Sequence, residues 1–558
     1  MTILAIPFPP ARLGLPNNRH CRENFQENDD MKQFHSYGPV DCEDHFCAER
    51  KKLVAQCLGQ LVGRTGKGGH FFTIWAPRQT GKTWLIRQVM KGVRKQYEDS
   101  FVVGDMSMQG LIMEDDDPDE VFFRQLPRLF RESFGTEPQQ PDNWDGWLNW
   151  FSVDKGLFEK PLILFIDEFD ALPPRIIDRL VTLFRNMYLR RDNYLLHGLA
   201  LIGVRALLGV ESHRGSPFNI QRSFHVPNFR EEEVDDLYQQ YQRESGQQIE
   251  PAVIRKIFRA TRGQPGLVCW FGELLTEKYN SGYDKAICMA DWDQVYRKAC
   301  HTEWNNTILN LIKKVRGSYQ EQTLELFARS DIPFSMDSDD CAYLYLNGVI
   351  DTEPYVAANG RETDVCVFSS PFVQERIYNA LTSDIVGNRM PILALEPLDE
   401  LTDVFDGHKL DLPALLERYK DYLRRLKSKG LNPWKDQPRR ADMRLTEAVG
   451  HFHLYAWLQN AVGGRCVVSP EFPAGNGKVD IHLQCGEKQG IIEVKSFRDA
   501  TQLKEARTQA ARYADEIGLD AVTVAMFVPT NDESVLEKLS DETVTEKVRV
   551  SISAIEWV

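Results

Sequence analysis

Two stretches of this chain hold residue types whose spacing suits phosphate chemistry. The first is Ala76, Pro77, Arg78, Gln79, Thr80, Gly81, Lys82 and Thr83, entered from the apolar run FFTIWA and left through WLIRQVMKGVRK. Strand, loop and helix in that order make a phosphate loop. Gly81 lets the backbone wrap phosphate oxygens, Lys82 places a cation on the β- and γ-phosphates of ATP, and Thr83 offers a hydroxyl to Mg2+ at a helix N-terminus. Ala76 stands where the pattern has its first glycine, so the turn must be made without positive φ there. The run PLILFIDEFD (161–170) is the expected partner strand. Its Asp167 would hold the magnesium hydration shell and its Glu168 would polarise the water that attacks the γ-phosphate.

The second stretch lies near the other end. Gly477, Lys478, Val479 and Asp480 open the strand VDIHLQ, and a hairpin leads into GIIEVKSF. Glu493 and Lys495 are two apart and therefore share a strand face, and antiparallel pairing can bring Asp480 beside them. Two such carboxylates would ligate Mg2+ or Mn2+, which polarises a scissile phosphate and lowers the pKa of its water. Lys495 would orient the nucleophile or offset developing charge. Downstream, Gln509 and Tyr513 are spaced i and i+4 on one helix face.

Elements must carry these residues. Strand runs at 101–106 and 198–205 alternate with helical segments at 117–134 and 174–190, which predicts an α/β fold, a parallel sheet with helices on both faces over 31–229. Residues 230–300 read as a helical lid. Residues 301–382 give a helix, a two-stranded wing and a closing helix, a winged-helix-like unit that is not notably basic and serves as a relay or packing element. The prolines and acidic run of 383–412 mark a linker. Residues 413–443 reverse the sign of the chain with Arg418, Lys420, Arg424, Arg425, Lys427, Arg439 and Arg440, a stretch suited to a nucleic-acid backbone. A second α/β unit follows over 444–558.

The order APRQTGKT, FIDEFDAL, GVR and then Gly263, Gln264 and Pro265 resembles the AAA-like ATPases related to the STAND and archaeal ATPase clade, over about 37–381. That resemblance implies that Arg205 senses the γ-phosphate, that Pro265 lies near the adenine, and that Arg50, in the lead-in, sits close to the nucleotide. The order GxVD, EVK, QxxxY resembles the RecB-like branch of PD-(D/E)xK nucleases, over roughly 444–528. It implies that Gln509 and Tyr513 line a DNA path and that Glu447 joins the metal shell.

Length and composition bound these readings. A chain of 558 residues predicts several domains, and 42% hydrophobic with 27% charged residues describes a folded protein. A formal charge of −14 excludes a uniformly basic nucleic-acid coat. There is no apolar run of ~20 residues, so no membrane anchor is expected. Eleven cysteines without a CxxC pair suggest thiols in a reducing, cytoplasmic setting, with no zinc site at Cys42, His45 and Cys47. Residues 1–30 read as a mobile leader, with Met31 as the alternative start. The function expected is an ATP-gated, metal-dependent nuclease acting on DNA as endo- or exonuclease, in defence or repair, and a homo-oligomer. A nucleotide-switch scaffold that binds nucleic acid or a partner without cutting is the alternative. A motor is disfavoured because no helicase motif series is present.

Overall fold

The computed structural model describes residues 31–63, 68–97, 100–203, 223–328, 332–356, 362–386, 392–399, 401–405, 410–435, 437, 447–474 and 477–558. The leader (1–30) and Arg205, Arg439 and Arg440 lie outside them. Among the described residues no helix is long and apolar enough to cross a membrane.

The first sheet contains strands β1 (Phe71–Trp75), β2 (Val102–Ser107), β3 (Leu162–Asp167), β4 (Leu196–Ile202) and β5 (Ser223–His225), in the order β2-β3-β4-β1-β5. All four pairings are parallel. Such a sheet needs both faces covered, and its strands accordingly read as continuous apolar runs. Phe71, Phe72 and Ile74 of β1 and every residue of β3 up to Ile166 are buried. Each such side chain contributes about 1.5–3 kcal/mol. The covering helices are α1 (Lys51–Val62), α2 (Lys82–Tyr97), α3 (Asp119–Phe134), α4 (Trp144–Asn149) and α5 (Pro174–Leu189). Separate apolar clusters form on the two faces, one with α1 and α2, the other with α3, α4 and α5. The parallel α/β sheet expected for the first half is therefore present.

Helices α6 (Glu231–Ser245), α7 (Pro251–Thr261), α8 (Pro265–Gly272) and α9 (Met289–His301) follow, in the stretch expected to form a lid. Next come α10 (Asn306–Val315), α11 (Gln320–Ala328) and α12 (Asp339–Leu346), the hairpin β6 (Ile350–Val356) and β7 (Glu362–Phe368), and α13 (Pro371–Val386).

The expected linker differs from its reading. It carries α14 (Thr402–Phe405), and Ala394, Leu401 and Val404 are buried in the apolar cluster that runs from the lid to the last strand. Its acidic residues pair inward, Asp399 and Asp403 with Arg418. Proline and acid content suggested exposure, whereas the spaced apolar side chains between them bind the segment down.

The second sheet holds β8 (Val467–Ala474), β9 (Gly477–Cys485), β10 (Lys488–Ser496), β11 (Ala521–Val528), β12 (Asp541–Thr545) and β13 (Val548–Glu556), in the order β12-β13-β11-β10-β9-β8. Helices α15 (Leu412–Ser428), α16 (Glu447–Val462), α17 (Ala500–Glu516) and α18 (Glu533–Leu539) pack around it. Ile492, Val494, Ala525 and Phe527 join the cluster of α15 and α16, whereas Ile491, Val524 and Met526 pack with α17. That alternation is the two-residue period of a strand buried on both faces.

Cys42 is bonded to Cys47 and Cys466 to Cys485, which corrects the expectation of thiols at these positions. The second pair follows from register, because Val467 faces Gln484 in the β8–β9 hairpin and the next pair outward is Cys466 with Cys485.

Candidate functional site

Two clusters gather the chemistry, one on each sheet. At the C-terminal end of β1 the loop turns through Gln79 (φ 58°) and Gly81 (φ 88°), so the left-handed positions fall there and not at Ala76. Ala76 is fully buried. The absent first glycine is thus accommodated by placing the turn three residues later. The Lys82 ammonium donates to the carbonyls of Ala76 and Pro77, 2.8 Å each, and so spans the loop mouth. Burial lowers its pKa, with Asp167 and Glu168 opposing.

Strand β3 delivers the acidic pair. The Thr83 hydroxyl donates to Asp167 Oδ2 at 3.3 Å, so the two expected magnesium-shell residues converge. Glu168 adopts φ 51°, which ends the strand, and its amide donates to Asp167 Oδ1 at 2.9 Å. Burial raises the pKa of both carboxyls, with the neighbouring acid adding to the rise at Glu168. A carboxylate with a raised pKa is a better proton acceptor, as a water-activating base requires.

The turn Gly263–Gln264–Pro265 abuts this loop. Gln264 Nε2 donates to the Arg78 carbonyl at 3.0 Å, and the Gly266 amide to that of Gln79 at 3.0 Å. Pro265 is buried at the first turn of α8. Arg50 is engaged within the chain. Its Nε lies 3.4 Å from Glu233 Oε1, and its guanidinium also donates to the carbonyls of Pro227 and Asn228. It ties the lead-in to α6 through Glu233.

On the second sheet the β9–β10 register pairs Ile481 with Ile492, which sets Asp480 against Glu493. The Asp480 amide lies 3.3 Å from Glu493 Oε1, and the Val494 amide donates to Asp480 Oδ2 at 2.6 Å. The Lys495 ammonium is 3.3 Å from Asp480 Oδ2, 3.3 Å from Glu493 Oε2 and 3.6 Å from Glu447 Oε1. All four expected residues therefore meet, Glu447 arriving from the first turn of α16. Glu493 is 1% exposed, and burial, reinforced by Asp480, pushes its carboxyl up to about 8. Burial works against the charge of Lys495, but Asp480, Glu447 and Glu493 outweigh it and hold its pKa well above the usual lysine value.

Gln509 Nε2 donates to the Tyr513 hydroxyl at 3.0 Å, on the helix that packs against the Glu493 face of the sheet. The Tyr513 ring is 6% exposed and belongs to the core there. Arg424 pairs with Asp421 and Arg425 with Glu396, so these two cations are engaged within the chain. Local carboxylates one turn away or on the packed 392–405 segment supply those partners.

Sequence reasoning missed four residues at these sites. The Thr307 hydroxyl donates to Gln79 Oε1, and Gly348 backs onto Pro77. His451 bonds the backbone oxygen of Asp480, and Tyr378 bonds His451 in turn. All four are brought in from distant sequence, and no local pattern marks them.

Residues 35–306 match the family described as an AAA-like domain. The match takes in the phosphate loop, the acidic pair and helices α6 to α9, and it supports a P-loop ATPase over that range. No curated protein matches the chain. Among solved structures, a Walker-type ATPase of Pyrococcus abyssi is 16% identical, covers 62% of this chain and 99% of its own, and superposes with a TM-score of 0.42. The Aeropyrum pernix ORC2 protein is 14% identical over 62% of this chain and 95% of its own, TM-score 0.36. Drosophila ORC bound to DNA is 15% identical over 68% and 96%, TM-score 0.34.

Proposed function

We propose that this chain binds and hydrolyses ATP at the phosphate loop and cleaves nucleic acid, DNA foremost, at the Asp480 cluster, with nucleotide state gating the cut. The observation that carries the nuclease reading is the convergence of Asp480, Glu493, Glu447 and Lys495 on one point from two strands and a helix. Charged groups are costly to bury, and a purely structural role would be served as well by apolar residues of similar volume. The functional units of this reading are 31–229, 230–300, 301–382 and 444–558.

The donor set suits a hard divalent cation in kind, since all its ligating atoms are carboxylate oxygens. Glu493 Oε2 is a buried acceptor with no aligned hydrogen bond, which is the mark of an atom suited to a further partner. Among the described residues no three acidic, histidine or cysteine side chains are spaced to close on an ion by themselves. Lys495 lies between the carboxylates, so ion binding requires its ammonium to withdraw toward one of them. Asp480, Glu493 and Glu447 would then hold Mg2+ or Mn2+, which supplies Lewis acidity toward phosphate and water. Lys495 balances the charge that develops on the phosphate oxygens. At the phosphate loop Thr83 and Asp167 would hold Mg2+, Lys82 contacts the β- and γ-phosphates, and Glu168 aligns the water. Arg205 as γ-phosphate sensor and Gln509, Tyr513, Arg424, Arg425, Arg439 and Arg440 as nucleic-acid contacts belong to the same proposal.

The test is metal-binding calorimetry beside cleavage of single- and double-stranded DNA and RNA. Asp480→Ala should lose both metal binding and cutting, whereas Lys495→Ala in protein shown to be folded should bind metal and not cut. Wild type that binds no divalent ion outside the phosphate loop would favour the non-cutting scaffold.

A further inference from the structure

The segment 307–386 lies beyond the residues that match the AAA-like domain, yet it touches the phosphate loop at two points. The Thr307 hydroxyl, in the first turn of α10, donates to Gln79 Oε1. Gly348 (φ 79°) comes so close that a Cβ there would stand 2.7 Å from Pro77 Cβ. Gln79 is itself held at positive φ, a conformation that persists only where its surroundings determine it. A change at the loop therefore has a defined route into α10.

The same segment reaches the Asp480 cluster at its other end. The fully buried Tyr378, on α13, places its hydroxyl 3.0 Å from His451 Nδ1, and His451 Nε2 lies 2.8 Å from the backbone oxygen of Asp480. A carbonyl oxygen only accepts, so Nε2 carries the proton. Nδ1 is then the acceptor, and the Tyr378 hydroxyl donates to it. Between the two ends, α10 packs along α13 and α13 along α16. The Tyr378 ring stacks on Phe452 at 4.4 Å and meets Tyr455 edge-on at 4.6 Å. Packing of this density moves as a body and does not absorb displacement.

The geometry points to 307–386 as a coupling element between the two sites: phosphate at the loop shifts Gln79, α10 and α13 follow, and the Tyr378–His451 bond moves the backbone of Asp480. This gives the gating of the proposed function its path and rests on that reading only for its catalytic consequence. Thr307, Tyr378 and His451 are positioning residues, since none touches a reacting atom.

Hydrogen–deuterium exchange of the full chain, with and without a saturating non-hydrolysable ATP analogue and magnesium, tests it without requiring cleavage. The amide of Val494, bonded to Asp480, lies in the reporting stretch 478–496. Wild type should change its exchange rate there by about fivefold or more on nucleotide binding. Thr307→Val and Tyr378→Phe should still protect 76–83 and lose the distant change; should Thr307→Val fail to fold, Tyr378→Phe breaks the far end alone. Protection at 76–83 with no change at 478–496 in wild type, or a change that survives Tyr378→Phe, would overturn the coupling. A response without cutting by wild type leaves the coupling standing and removes the nuclease, while cutting without a response does the reverse.

Discussion

The two clusters each set one lysine among acidic residues, and the two lysines are held in opposite ways. Lys82 is held by two carbonyl oxygens, and burial lowers its pKa. Lys495 is held by three carboxylates that raise its pKa well above normal in spite of burial. Among the described residues the hydrogen bonds of the Lys82 ammonium go to backbone carbonyls, not to carboxylates. A lysine with only carbonyl partners is poised for an anion from outside the chain. One enclosed by carboxylates belongs to the chain's own electrostatics, and its loss should be felt by the fold before it is felt by a ligand.

Removing each lysine gives the widest contrast. Lys495→Ala leaves buried carboxylates uncompensated and should cost about 3–5 kcal/mol of stability by denaturant unfolding. Lys82→Ala should stay within about 1 kcal/mol of wild type and instead weaken nucleotide binding. Equal stability losses would end the distinction.

Acid should find the C-terminal region first. His453 is buried beside Tyr419, whose hydroxyl is 2.7 Å from its Nδ1, and burial depresses its pKa to about 4. A base depressed in the folded state gives stability that is fully present above its unfolded value of 6.5 and is lost as pH falls through the folded one. Between about pH 6.5 and 4 that amounts to roughly 3 kcal/mol. His453→Gln can still accept from Tyr419 and should flatten the acid limb of a stability-against-pH curve; an unchanged slope would remove His453 as its cause.

At the phosphate loop the corresponding change is kinetic. Glu168→Gln should keep nucleotide affinity while hydrolysis falls about 100-fold or more. The smallest effect is expected at Arg424, whose pair with Asp421 is more than half exposed. Arg424→Ala should alter stability by under about 0.5 kcal/mol. If Arg424 contacts nucleic acid as proposed, the same change should lower the salt dependence of binding by about one phosphate contact.

What the sequence disclosed follows the same division. The phosphate loop was legible because its residues are contiguous and its strand and helix flank it directly. Asp480, Glu493 and Lys495 were legible through a two-residue period and a hairpin, and a helix carboxylate, Glu447, was placed with them by resemblance. The enclosure of Lys495 was not, since it depends on side-chain reach across three elements. Nor were the Thr307 bond to Gln79, 228 residues apart, or the packing of 392–405, where prolines and acids outvoted a few spaced apolar side chains. The intrachain partners of Arg424 and Arg425 were not legible for a related reason: a run of cations says nothing about the carboxylates that fold against it. The pairing of Arg50 with Glu233 was not legible either, since Glu233 lies on a helix that sequence position alone does not orient.

The most direct test of the account is manganese-dependent cleavage of labelled DNA by the full chain, wild type beside Glu493→Gln, with both proteins matched for thermal unfolding. Glutamine keeps the shape of the buried side chain, replaces one carboxylate oxygen with an amide group and removes the negative charge that the proposed metal site needs. The account predicts products from wild type in the permissive nucleotide state and none from the variant in any. Equal cleavage by the two proteins would contradict it.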